Sequence, residues 1–93
     1  MLSKGRSIIT VVGKDQVGII AKVCVYLAKC NVNILDISQT IVDGYFNMMM
    51  IADTENANVE FLSLSEGLEK LGEDIGVIIK LQREDIFNSM QRI

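Results

Sequence analysis

Apolar residues follow two different rhythms along this chain. Over 6–12 (R-S-I-I-T-V-V), β-branched residues crowd between Gly5 and Gly13, which predicts a strand. Ile8, Thr10 and Val12 share one side of it and Ile9 and Val11 the other, so a strand apolar on both faces is expected near the middle of a sheet. Over 16–30 the period lengthens. Ile19, Val23 and Leu27 recur at i, i+4 and i+8 with Ile20 and Cys24 alongside, while Lys22 and Lys29 fall elsewhere, the pattern of a helix laid on a sheet.

Alternation returns over 34–42, with Leu35, Ile37 and Ile41 on one face and Asp36, Ser38 and Thr40 on the other. Asp43-Gly44 then marks a two-residue type I′ hairpin, which needs positive φ at both positions. The antiparallel partner, 45–52, is again apolar on both faces: Phe46, Met48 and Met50 alternate with Tyr45, Met49 and Ile51. After a polar connection, Phe61, Leu64, Leu68 and Leu71 predict a second helix to about Glu73, with Gly72 as its expected stop. A fourth strand, 77–83, turns Val77, Ile79 and Leu81 inward, and Asp85 is placed to cap a short final helix with Ile86, Met90 and Ile93 along one edge.

The order β-α-β-β-α-β with right-handed crossovers is that of the α+β ferredoxin-like fold, a four-stranded antiparallel sheet with two helices on one face, here followed by a short C-terminal helix. The whole of 1–93 reads as a single domain, with its core over about 7–83 and a helical tail over 85–93. Strands 1 and 3 are expected in the centre. Because the helices cover one face only, Ile9, Val11, Met49 and Ile51, or their alternates, are expected on a bare apolar face, and such a patch marks an interface. A hydrophobic content of 49% is high for so short a chain. Mean hydropathy is +0.33. Either the interior is packed tightly or another subunit covers apolar surface; the second is expected, as a homodimer.

Composition excludes more than it selects. There is no His, hence no imidazole acid–base chemistry and no His metal site. The two cysteines, Cys24 and Cys30, lie roughly 240° apart round one predicted helix, lack C-x-x-C spacing, and read as small buried residues in a reducing cytoplasm. No metal, cofactor or catalytic function is expected. A net charge of −3 with no Trp makes nucleic acid a poor partner. No apolar run approaches the ~20 residues needed to span a bilayer, and the first residues lack the apolar region of a secretion signal.

The candidate chemistry sits at the first turn, Gly13-Lys14-Asp15-Gln16-Val17-Gly18. The first N–H groups of the following helix have no intrahelical partners and lie at the positive end of its dipole, so an anion is favoured there, such as the carboxylate of an amino acid. Asn33, at the start of the next strand, has a donor and an acceptor on a short stem. Each residue also has a plain reading: Asp15 as a helix cap, Gly18 as a close-packing residue, Asn33 as a turn residue bonded to its own backbone, and Lys14 as a solvated cation. Other functions hosted by this topology leave marks that are missing here. The first turn has no Arg to grip a phosphate and no C-x-x-C, and strand 1 carries no aromatic for RNA stacking.

G-K-D-Q-V-G-I (13–19), then N-V-N-I (31–34), then S-Q-T-I-V-D-G-Y-F (38–46) resemble an ACT domain over nearly the whole chain. The resemblance is to the small stand-alone type and to the modules of glycine-cleavage repressors. It implies a ferredoxin-like regulatory module that pairs with a second domain and holds an amino acid near the first turn. Carried over by position, the ligand-side residues are Asp15, Gly18 and Asn33, with Gly13 and Lys14 as weaker choices. Some amino-acid-binding members carry a polar ring or an amide where this loop has Gly13 and Asp15. A carboxylate there would repel the ligand's own, so Asp15 either meets its ammonium or caps the helix. The alternative function is a ligand-independent module that docks on a metabolic enzyme or regulator.

Overall fold

The computed structural model describes residues 5–85. Six elements follow in the expected order: β1 (Arg6–Lys14), α1 (Ile19–Lys29), β2 (Asn33–Val42), β3 (Tyr45–Asp53), α2 (Phe61–Ile75) and β4 (Val77–Arg83). The strands form one sheet in the order β2-β3-β1-β4, so β1 and β3 are central. Every neighbouring pair is antiparallel. The C-terminal helix expected over 85–93 lies, beyond Asp85, outside the described residues.

The core fills the space between one sheet face and the two helices. Ile9 and Val11 from β1, Phe46, Met48 and Met50 from β3, and Val77 and Ile79 from β4 meet Ile19, Val23 and Leu27 of α1 and Leu64 and Leu68 of α2. Cross-strand register corrects the expected composition of the open face. Ile9 stands opposite Met50 and Val11 opposite Met48, so both belong to the helix side; Ile8, Thr10 and Val12 are the residues that share the open face with Ile51 and Met49. In β2 the register shifts between Ile34 and Asp36, leaving Leu35 without a counterpart in β3. Ile37 and Ile41 then face the helix side, separated from Leu35 by that bulge.

Two helix boundaries also differ from the periodicity. Helix α2 runs past Gly72 to Ile75 and stops at Gly76, which takes the left-handed conformation (φ 79°) and donates its N–H to the Gly72 carbonyl. Gly72 is buried inside the helix, where a Cβ would come within 2.6 Å of the Val77 carbonyl oxygen. Helix α1 begins only at Ile19, because Gly18 at φ 93° interrupts the helical backbone. The Asp43-Gly44 hairpin has the expected two positive φ angles, 52° and 81°.

Candidate functional site

The loop from β1 to α1 is held at both of its flanks. Asp15 donates its backbone N–H to the Gly44 carbonyl at 2.9 Å, tying the loop to the β2–β3 hairpin. Gln16 reaches the other way and donates its side-chain amide to the Ile75 carbonyl at 2.6 Å, satisfying an end carbonyl of α2. Between these anchors α1 starts without a side-chain cap. The Lys22 N–H bonds the Gly18 carbonyl at 3.0 Å, so the N–H groups of Ile19, Ile20 and Ala21 precede the first intrahelical bond.

These groups border a cavity of about 260 Å³ on the helix side of the sheet. Asp15, Gln16 and Gly18 form its rim, Ile19, Ile41 and Phe46 its apolar wall, and Gln39 of β2 adds an amide. Phe46 and Ile19 are buried, whereas Asp15 and Gln16 are exposed. Asp15 is not the helix cap, since that position belongs to Gly18. Nor does Gly18 serve close packing. A Cβ there would meet only the end of the Lys22 side chain at 3.8 Å, so backbone conformation is what calls for glycine.

The other sequence-derived residues are not brought to this cavity. Gly13 packs against β4, where a Cβ would fall 2.7 Å from a Val77 methyl. Lys14 continues the Ile8, Thr10, Val12 alternation and is exposed, which puts its side chain on the side of the sheet away from the helices. Asn33 lies at the far end of β2, opposite Asp53, and lines a separate polar cavity of about 420 Å³ with Asn31, Asp53 and Asn56. Within one chain, therefore, the first turn and Asn33 do not converge. Gln16, Gln39 and Ile41 were missed by sequence reasoning. Ile41 and Gln39 could have been found from strand alternation once β2 was placed beside α1; nothing in the sequence announces the Gln16 contact.

Elsewhere on α1, the Tyr26 phenol lies over Gly67 of α2. Burial first, then a hydrogen bond with and electrostatic repulsion from the Cys30 side chain, raise its pKa above the ordinary value. Cys24 and Cys30 are both free. No helix among the described residues is long and apolar enough to cross a membrane.

The β-α-β-β-α-β order, with two helices on one face of a four-stranded antiparallel sheet, defines the ferredoxin-like fold, and its candidate cavity lies at the start of α1. The chain belongs to the ACT domain family, which it matches over residues 6–82. It is 64% identical over 88 residues to a UPF0237 protein of Bifidobacterium longum, a match covering 95% of this chain and 98% of that one. An ACT domain protein from Streptococcus pneumoniae has the same fold, with 39% identity and a TM-score of 0.78 over 95% of this chain and 96% of that chain. The regulatory subunit of aspartate kinase from Thermus thermophilus is similar at 25% identity and a TM-score of 0.66, over 88% of this chain and 53% of that one.

Proposed function

We propose that the chain is the subunit of a non-catalytic, cytoplasmic homodimer that binds a small amino acid or related metabolite at a site shared between two copies. The observation that carries this reading is the cavity at the uncapped start of α1, polar at its rim and apolar behind. An amino acid divides in the same way. Its carboxylate suits the amides of Ile19, Ile20 and Ala21, its ammonium suits the Asp15 carboxylate, and its side chain suits Ile41 and Phe46.

A twofold axis beside β2 would account for Asn33. β2 is an edge strand of ten residues, and Leu35, Ile37, Ile41 and Val42 on it are exposed. Such an edge offers unpaired backbone groups together with apolar side chains. Antiparallel pairing with the same strand of a second copy would set the partner's Asn33 near the Val42 end of β2, beside the hairpin that holds Asp15. Ligand and dimer would then depend on each other. Kinship with the regulatory subunit of an aspartate kinase supports a metabolic enzyme or regulator as the body to which the dimer reports.

The test is thermal unfolding in the presence of each standard amino acid. One of them should raise the Tm, since a ligand bound only to the native state stabilises by about 2.7 kcal/mol at a hundredfold excess over Kd. Asn33→Ala should abolish that rise. A panel with no response would leave the ligand-independent docking module in its place.

A further inference from the structure

The two helices carry opposite charge. Helix α1 holds Lys22 and Lys29 and no acid, whereas α2 holds Glu66, Glu69, Glu73 and Asp74 against Lys70 alone. Lys22 and Lys29 flank a groove of about 350 Å³ between the helices, floored by Ala21, Val25 and Tyr26 of α1 and Leu71 of α2. Val25 is 54% exposed there.

On α2, Leu62, Glu66, Glu69 and Glu73 stand at i, i+4, i+7 and i+11, so they form one stripe. All four are exposed, Leu62 to 70%. Gly67 and Leu71 mark the side of α2 that faces α1, since Tyr26 lies over Gly67 and Leu71 lines the groove. The acidic stripe lies roughly 150° round the helix from that side. It therefore points away from the lysines of its own chain. Among the described residues the ion pair is Arg6–Glu84, and neither lysine nor any of the three glutamates takes part in one.

We propose that the helix layers of two copies pack face to face, the acidic stripe of each α2 entering the α1–α2 groove of the other. The partner's Leu62 then seats on the apolar floor, and the glutamates behind it meet Lys22 and Lys29. A second copy is the occupant because α2 supplies the charge that the groove lacks, headed by an apolar side chain that suits its floor. Each chain has one groove and one stripe, and a twofold axis running along the helices satisfies both at once and closes the contact. The β2 edge, Asp15 and Asn33 take no part, so this surface stands apart from the proposed ligand site.

Sedimentation equilibrium on the whole chain tests this. Lys22→Glu/Lys29→Glu and Glu66→Lys/Glu69→Lys should each associate about tenfold or more weakly than wild type, because like charges then face each other. Circular dichroism should show wild-type helix content in both, as the replaced residues are exposed. An equimolar mixture should regain the wild-type mass: one chain has acid on both helices, the other has base on both, and every contact between them is complementary. Unchanged association in either variant, or a mixture as weak as its components, would overturn the proposal. So would a wild-type chain that sediments at 10.3 kDa throughout. Dimers joined through β2 persist in both variants and leave the result readable, since the helix contact adds to their mass.

Discussion

The side-chain amide of Gln16 donates to the main-chain carbonyl of Ile75 at 2.6 Å, joining the loop before α1 to the last turn of α2. This contact fixes one flank of the candidate cavity, and the Asp15–Gly44 backbone bond fixes the other. The loop therefore stands ready at the start of α1 without a helix cap of its own.

Gln16→Ala should cost about 0.5–1 kcal/mol of stability, the lower part of the range for a hydrogen bond, because the contact is exposed. Gln16→Glu should cost no less, since a carboxylate would face a carbonyl with no proton to share. Chemical denaturation checks both; equal midpoints for wild type and variants would show that the anchor carries no stability.

Gly72→Ala isolates the close approach of α2 to β4. In an open helix the change would stabilise by up to ~1 kcal/mol. Here the added Cβ would meet the Val77 carbonyl oxygen at 2.6 Å, main-chain matter that cannot swing aside. A net loss of about 1–3 kcal/mol is expected, read as a lower denaturation midpoint. A gain would mean that α2 can lift from the strand at little cost.

Tyr26 should contribute to the loss of stability at alkaline pH. Burial, the hydrogen bond with Cys30 and electrostatic repulsion from that side chain raise the phenol pKa in the folded chain, while the unfolded chain ionises it near ~10. The folded state therefore holds this proton more tightly. Its contribution is complete below the unfolded pKa and is lost as pH rises through the folded one. Tyr26→Phe should flatten the fall in stability above pH ~10. An identical alkaline slope in wild type and variant would contradict the assignment.

The fold was legible because its signals are local and agree with one another. Strand alternation, the helical spacing of Ile19, Val23 and Leu27, and the Asp43-Gly44 turn all describe the same topology. What escaped depends on pairing across the chain. Which residues of β1 share a face with Met49 is set by register with β3, and the placement of Leu35 is set by a bulge. Gly72 looked like a helix stop because its need for glycine comes from β4, not from its own backbone. Of the candidate positions, the sequence brought only some to one place. Asp15 and Gly18 line a cavity at the start of α1, but Asn33 follows that helix and so emerges at its other end, beside Asp53.

That separation makes a shared site directly measurable. Take the amino acid that raises the wild-type Tm, and titrate it calorimetrically into Asn33→Ala, into Gly18→Val, and into an equimolar mixture of the two after subunit exchange. A site built by two chains should be silent in each variant alone and recover about a quarter of the wild-type sites in the mixture, since half the dimers are mixed and each of those keeps one intact site. No recovery after exchange, or full binding by the Asn33→Ala chain alone, would contradict a site completed by the partner's Asn33.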